Sequence, residues 1–276
     1  MVESLSELNK IVQKPNYQTV GNWMVRKILR PAALPLTWLL LHTPITANQV
    51  TLFSIALGLF ANFLLAQAGT INFLAGAFIL QLWYLLDHVD GQIARYRKTA
   101  SLTGRFYDFL MHHIIHPTMI LGIGWYAWSQ SQSNLLLLVV FISTFCLFLF
   151  NSLYDIQYKA YYERLLQFRT IEKRLQSSEN QSRTTASDQE KNRIKLAVQF
   201  IHKSIEGHVV LNVLTFGALL NHFWINDLDF RTVIFGYYSL AIPTILILKV
   251  THAILTNKVD SQFDATFAPR DGNENS

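Results

Sequence analysis

Six apolar runs, each about 20 residues long, dominate the pattern of hydrophobic and polar positions along the chain. They lie near residues 47–67, 72–92, 106–128, 134–156, 205–225 and 232–255. An α-helix of about 20 residues is long enough to cross the roughly 30 Å hydrocarbon core of a bilayer. The pattern therefore predicts an all-α fold, a polytopic membrane bundle of six transmembrane helices.

The segments outside these runs are polar or amphipathic. Residues 1–18 and 259–276 are predicted to be polar tails, and residues 46–258 the domain that holds the six spans. The polar N-terminus has no basic stretch followed by a short apolar core, so we do not expect a cleaved signal peptide.

Residues 19–45 have the pattern of a helix that lies on a membrane. Trp23 and Ile28 alternate with cations such as Arg26 and Arg30. This pattern predicts an interfacial amphipathic helix whose cations face anionic lipid. A short seventh span inside the segment is disfavoured by its two prolines and by the shortness of its apolar part.

The one long polar insertion is predicted at residues 159–204, which contain ten basic and five acidic residues. We expect the fourth span to continue as a helix to about residue 175, then a mobile turn, then a helix from about residue 189. Such a composition is typical of a solvated connector, and it also fits a basic surface for lipid headgroups or a partner.

Composition and charge placement agree with a membrane protein. The 276 residues are 51% hydrophobic and 15% charged, with a mean hydropathy of +0.22, whereas about a quarter of the residues in soluble domains are charged. If the N-terminus is cytoplasmic, 22 of the 23 Lys and Arg residues lie on the cytoplasmic side and only Arg231 lies outside. We therefore expect a protein of the inner or plasma membrane with both termini and its site on the cytoplasmic side, in contact with lipid and not with nucleic acid.

Charged and small residues share helix faces where the second and third spans adjoin. The end of the second span carries, at spacings of three and four, Asp87, Asp90, Gly91 and Ala94. The start of the third span carries, at spacings of four, Gly104, Asp108 and His112. Such spacings place side chains on one face of a helix, so two neighbouring antiparallel helices can bring the two sets together.

Three carboxylates at the edge of a bilayer need compensation, because membrane burial disfavours them and they repel one another. A divalent cation removes both problems, and hard oxygen ligands suit Mg²⁺ or Mn²⁺. Pairing with nearby Arg and Lys side chains is the alternative, but it does not explain the small residues. Those small residues are typical of close helix packing and also of a wall against which a planar group lies.

The pattern Asp87-x2-Asp90-Gly91-x2-Ala94-Arg95-x8-Gly104-x3-Asp108-x3-His112 resembles the signature of the CDP-alcohol phosphotransferase family, D-x2-D-G-x2-A-R-x8-G-x3-D-x3-D. Seven of the eight defined positions match, and His112 stands in place of the final aspartate. The segment Thr46-Ala47-Asn48-Gln49-Val50-Thr51 is similar to the TPN-x-[LV]-T segment of the family, with Ala47 where Pro is usual.

The resemblance implies an enzyme that transfers a substituted phosphate from a CDP-linked alcohol to an acceptor hydroxyl and releases CMP. It implies that Asp87, Asp90 and Asp108 hold Mg²⁺ or Mn²⁺ on the pyrophosphate. It implies further that the nucleotide-binding residues are Gly91, Ala94, Arg95, Gly104, Asn48 and Thr51. A homodimer is also implied. The donor, of the CDP-diacylglycerol or the CDP-amino-alcohol type, stays open, as does the acceptor.

His112 occupies the position of the family's proposed general base. Imidazole has a reference pKa near 6.5 against about 3.9 for Asp, so it is the stronger proton acceptor, and its nitrogen is also a metal ligand. We expect His112 to act as base or to lie next to the metal, with Asp108 the other catalytic residue. The remaining interpretations are a one-metal site with a passive histidine, and an inactive family member that serves as a membrane scaffold or nucleotide-lipid sensor.

Overall fold

The computed structural model describes residues 2–13, 22–166, 171–173, 189–225 and 227–269. Within these residues the chain is almost entirely helical, in ten α-helices and one turn of π-helix. The helices are α1 (Leu5–Val12), α2 (Arg30–Leu41), α3 (Ala47–Ala66), α4 (Thr70–Tyr96), α5 (Leu102–Ser131), α6 (Asn134–Leu165), α7 (Gln189–Ser204), α8 (Gly207–Phe223), α9 (Phe230–Leu255) and α10 (Lys258–Thr266). The π-helical turn, Val25–Leu29, leads directly into α2.

Four of these helices are long and apolar enough to cross a membrane: α3, α4, α6 and α9. The other two predicted spans are also helical, as α5 and α8, but the count of six spans is not confirmed. Large apolar side chains face outward along the helices, for example Leu135 of α6 and Leu240 of α9, which are 71% and 74% exposed. An apolar exterior of this kind is what lipid chains require.

The prediction for residues 159–204 is only partly correct. Helix α6 ends at Leu165 and not near residue 175, and a short strand, β1 (Ile171–Lys173), lies beyond it. This strand pairs antiparallel with β2 (Phe267–Pro269), so backbone pairing with the C-terminal segment replaces the expected helical extension. A helix does begin at Gln189, as predicted, whereas the predicted mobile turn lies outside the described residues.

Helices α3, α4 and α5 form the part of the core that positions the site. They approach closely at glycines: a Cβ on Gly122 of α5 would lie 2.6 Å from the main-chain oxygen of Asn62 in α3, and one on Gly76 of α4 would lie 2.9 Å from that of Ala61. The Asn62 side chain donates hydrogen bonds to the Ile115 carbonyl oxygen at 3.0 Å and to the Thr118 hydroxyl at 2.8 Å. Close backbone approach and these hydrogen bonds hold α5 against α3.

Capping residues and side-chain hydrogen bonds to the backbone fix the ends of the same three helices. The Thr46 hydroxyl accepts a hydrogen bond from the Gln49 amide and the Gln49 side chain caps Thr46 in return, so α3 begins at Ala47. Ser101 caps α5 through the Gly104 amide at 3.1 Å. Arg97, which follows α4, donates to the carbonyl oxygens of Thr43 and Ile45 at 2.7 and 2.6 Å.

Both predicted polar tails contain a short packed helix that the sequence analysis did not predict. Helix α1 lies within residues 1–18, and its Leu8 and Val12 are fully buried. Helix α10 lies largely within residues 259–276 and buries Phe263. Helix α1 has apolar residues at helical spacing but is only eight residues long, and α10 has few apolar residues. Helices this short depend on contacts with distant parts of the chain.

Candidate active site and metal centre

A single cavity of about 560 Å³ opens where α3, α4 and α5 end. All ten residues predicted for the site line it: Asn48, Thr51, Asp87, Asp90, Gly91, Ala94, Arg95, Gly104, Asp108 and His112. The volume lies in the range of about 300–1,000 Å³ that is usual for small-molecule and cofactor sites. The residues of the sequence pattern are therefore brought together around one space that is large enough for a ligand.

Asp87, Asp108 and His112 offer three ligand atoms that lie within 4.8 Å of one another. The Nε2 atom of His112 is 3.3 Å from Oδ1 of Asp87 and 3.5 Å from Oδ1 of Asp108. These distances exceed the roughly 2.7–2.9 Å of a charge-assisted hydrogen bond. They are close to the spacing of about 3 Å between neighbouring ligands of an octahedral cation whose bonds are about 2.1 Å long. The two carboxylates and the imidazole thus fit a divalent metal.

Asp90 stands apart from this group of three. It is 9% exposed, and its Oδ2 accepts a hydrogen bond of 2.6 Å from the hydroxyl of Thr51. The residue lines the cavity, but its carboxylate is turned toward α3. Thr51, which was predicted to lie near the nucleotide, is therefore also the partner of a predicted metal ligand.

The alternative in which basic side chains neutralise the aspartates does not occur in the described parts of the chain, where no Lys or Arg nitrogen lies within salt-bridge distance of the three site aspartates. Arg97 donates to backbone carbonyls, and Arg95 donates through Nε to the carbonyl oxygen of Val12. The ionic contacts of Asp87 and Asp108 are with histidines. The excess negative charge at the site is thus left for a cation.

His112 lies among aromatic rings. Its ring centre is 5.7 Å from that of Trp83 and 5.2 Å from that of His116. Its Nδ1 is buried and has no hydrogen-bond partner among the described residues. Only Nε2 therefore faces the carboxylates, so His112 can use that one nitrogen either as a metal ligand or as a proton acceptor, but not as both at once.

The neighbouring histidine has a structural role. Nδ1 of His113 contacts the carbonyl oxygen of Phe109 at 2.8 Å, and its Nε2 lies 3.0 Å from Oδ2 of Asp155 in α6. These contacts join α5 to α6 on the side away from the cavity. His113 was predicted to be a packing or supporting residue, and the geometry agrees.

The small residues leave space on the cavity wall. A Cβ on Gly104 would lie 3.1 Å from Oδ1 of Asn48, and one on Gly91 would lie 3.2 Å from NH1 of Arg95. Both positions are approached by the ends of flexible polar side chains and not by packed apolar groups. An added methyl group would therefore intrude on the polar groups of the cavity.

Several cavity residues were missed or misplaced by the sequence analysis. Arg30 was predicted to face lipid, yet it lies on the cavity wall, as do Gln13 and Gln92. Gln92 is held by the hydroxyl of Thr37 at 2.7 Å, a contact between α2 and α4. No local pattern reveals these residues, because their place depends on how the N-terminal segment packs against α4.

Comparison with known proteins gives a family match that covers the site. Residues 44–171 match the family model described as CDP-alcohol phosphatidyltransferase, and this range contains all ten predicted site residues. The crystal structure of a Mycobacterium tuberculosis phosphatidylinositol phosphate synthase with CDP-DAG bound is similar to this chain, at 15% sequence identity and a TM-score of 0.48, over 82% of this chain and 92% of that chain. No curated protein sequence matches the chain.

Proposed function

Because residues 44–171 match the family model of CDP-alcohol phosphatidyltransferases, we propose that the protein is a membrane enzyme that makes a phospholipid or related phosphodiester. It transfers a substituted phosphate from a CDP-linked alcohol to an acceptor hydroxyl. One observation supports this above all others: the ten predicted site residues line one cavity at the end of the bundle.

In this reaction the acceptor oxygen attacks the β-phosphorus of the donor. The new bond is a P–O bond to the acceptor, the bond that breaks joins the β-phosphorus to the bridging oxygen, and CMP leaves with that oxygen. A divalent metal, when bound, neutralises charge on the diphosphate. The residues of the chain hold the donor and acceptor in line and take up the proton.

We assign the metal-ligand role to Asp87, Asp108 and His112, with Asp90 a supporting acidic residue. His112 contributes Nε2, because that atom lies near both carboxylates. Asp108 is the most open of the three, with 46% of its side chain exposed, so we assign it the uptake of the proton from the acceptor hydroxyl. An imidazole ligand favours Mn²⁺ more than an all-oxygen site does.

The nucleotide is proposed to lie against the wall formed by Gly91, Ala94 and Gly104, which has no large side chain. Asn48 lies beside that wall at the first turn of α3. Arg95 and Arg105 line the same cavity, and cations of this kind complement phosphate oxygens.

For the membrane arrangement we propose that α5 and α8 complete the six spans. An even number of spans places both ends of the bundle domain on one side. The placement of 22 of 23 Lys and Arg residues favours the cytoplasm as that side, and hence as the side of the site. We also propose a homodimer, and this proposal rests only on the resemblance to the family.

The test is release of CMP by the purified protein with Mg²⁺ or Mn²⁺. The donors are CDP-diacylglycerol, CDP-choline and CDP-ethanolamine, each offered with inositol phosphate, glycerol phosphate and diacylglycerol as acceptors. The matched pair of variants is Asp108→Asn, in the site, and Asp260→Asn, on the exposed face of α10. Release of CMP that depends on Asp108 but not on Asp260 supports the proposal, and absence of release for every pairing contradicts it.

A second candidate function rests on His112, the one departure from the eight-position pattern. In that case the protein binds a CDP-linked lipid without turning it over, as a scaffold or sensor. It then binds CDP with metal but releases no CMP, and Asp108→Ala leaves the lipid composition of the cell unchanged.

A further inference from the structure

Helix α1 is packed onto the site end of α4 through apolar contacts. Its Leu8 and Val12 are fully buried in a cluster with Leu86, Val89 and Ile93 of α4. An isolated helix of eight residues is not stable in water, so α1 owes its structure to this contact.

Hydrogen bonds hold the beginning of α1 in place. The Tyr96 hydroxyl donates to Oε2 of Glu3 at 2.5 Å, and Nε1 of Trp38 donates to the Glu3 carbonyl oxygen at 3.1 Å. Ser4 and Glu7 cap each other's backbone at the first turn. The helix is thus anchored to both α2 and α4, and its far end has a defined position.

That far end holds the guanidinium group of Arg95. The Nε–H of Arg95 donates to the carbonyl oxygen of Val12, the last residue of α1. Carbonyl groups in the last turn of a helix lack intrahelical partners and carry a partial negative charge, so they attract a cation. Arg95 is therefore fixed through Nε, and its terminal nitrogens keep their hydrogen atoms for other acceptors.

The terminal nitrogens of Arg95 lie along the cavity wall. NH1 and NH2 are 3.2 and 3.5 Å from the place a Cβ on Gly91 would take, and both Gly91 and Arg95 line the cavity. Within the residues that the structure describes, the hydrogen bond to Val12 is the one that Arg95 makes. Gln13, the residue after α1, lines the cavity as well.

We propose that α1 positions Arg95 for the diphosphate of the nucleotide donor, so that a segment outside the family domain forms part of the donor site. A guanidinium whose Nε is already held presents its two outer nitrogens in a defined direction, which favours contact with phosphate oxygens. The inference rests on the proposed function, because it takes the ligand to be a CDP-linked donor.

The test measures binding of CDP to the purified full-length protein in the presence of Mn²⁺. Leu8→Glu places a charge in the buried cluster and detaches α1, whereas Ile11→Glu makes the same change on the exposed face of the helix, where Ile11 is 46% exposed. We expect Leu8→Glu to weaken CDP binding about tenfold, because a misplaced Arg95 no longer meets the phosphates. Ile11→Glu is expected to bind as the wild type does.

A double-variant comparison shows whether the effect passes through Arg95. In an Arg95→Ala background, Leu8→Glu is expected to cause no further loss of CDP affinity. Arg95→Lys is not expected to restore binding, because lysine lacks the Nε–H that Val12 holds. If Leu8→Glu weakens binding equally with and without Arg95, or does not weaken it at all, the proposal is overturned.

Tyr96→Phe provides a milder change in case Leu8→Glu does not fold. It removes only the hydroxyl that holds Glu3, and Tyr96 does not line the cavity. We expect a rise of about threefold in KM for the donor with kcat and acceptor KM unchanged; an unchanged donor KM contradicts the inference. Turnover by the wild type is measured in parallel, so that an inactive wild type that still binds CDP counts against the proposed function and not against the role of α1.

Discussion

The two ends of the helical bundle both hold charged side chains, but only one end satisfies them from within the protein. At the end away from the site, Arg231 is fully buried and lies 2.7 Å from Oδ2 of Asp229. Its NH1 donates to the Gln67 carbonyl oxygen at 2.5 Å, and its guanidinium carbon lies 3.4 Å from the centre of the Tyr126 ring. This cation joins α3, α5 and α9 and leaves no charge for a ligand.

The site end has the opposite character. Asp87 and Asp108 face each other across the His112 imidazole beside an open cavity, and no Lys or Arg side chain in the described residues forms a salt bridge with them. Buried charge that the protein pairs completely serves packing, whereas converging charge that it leaves uncompensated marks a place for a ligand. The following experiments change one end or the other and measure stability, metal binding or turnover.

The largest effect is expected from Asp87→Asn. Loss of one anionic ligand removes much of the stabilisation that a metal supplies, so CMP release should fall about a thousandfold. The melting temperature without metal should change little, because the weaker contacts with His88 and His112 are offset by the loss of repulsion between two carboxylates. A fall in that melting temperature would show that Asp87 is a structural residue like Arg231.

Arg231→Met tests the opposite end. Removal of a buried cation leaves Asp229 without its partner and should lower the free energy of unfolding by about 3 kcal/mol. The metal affinity of the folded protein should not change. Asp229→Asn combined with Arg231→Met should recover part of the lost stability. The free energy of unfolding is measured for the wild type, the single variant and the double variant by denaturation in mild detergent.

Two glycines of α5 provide a matched pair. A Cβ on Gly124 would lie 2.7 Å from the ring of Phe235 and 3.0 Å from Val140, whereas one on Gly104 meets only Asn48 and Ser101. Gly124→Ala should therefore cost about 2 kcal/mol of stability. Gly104→Ala should leave stability nearly unchanged. It should raise the donor KM about tenfold, because the added methyl group takes up space proposed for the nucleotide.

His112→Asp restores the family pattern and tests the role of the imidazole. An all-carboxylate site should bind Mg²⁺ better relative to Mn²⁺, by a few-fold. The measurement is the ratio of metal affinities from titration calorimetry. His112→Ala should weaken metal binding as well as turnover; if it lowers kcat while metal affinity stays unchanged, His112 acts as the base and not as a ligand.

The smallest expected effect is a loss of stability at low pH, through Asp229. Burial by itself would raise the pKa of Asp229, but hydrogen bonds from Arg231 and Tyr126 outweigh it, so the pKa lies below the ordinary value of about 3.9. A carboxyl whose pKa is lowered by folding stabilises the protein above its unfolded pKa, and this contribution is lost as the pH falls through the folded value. The melting temperature should drop below about pH 4 in the wild type, and by less in Asp229→Asn.

Much of the site could be predicted because its residues are linked by helical spacing. Asp87 and Asp90 lie three residues apart, and Asp108 and His112 lie four apart, so local geometry places each pair on one face of its own helix. The contact of Asp90 with Thr51 could not be predicted in this way, since it joins residues 39 positions apart.

The positions of the long helices, and the side chains that share a face, can be predicted from the sequence, because backbone hydrogen bonds within a helix join residues only a few positions apart. In contrast, tertiary packing turns Arg30 to the cavity, brings α1 to Arg95 and ends α6 at Leu165. These features depend on contacts between distant segments, and the side chains involved carry no periodic pattern that would reveal such contacts in advance.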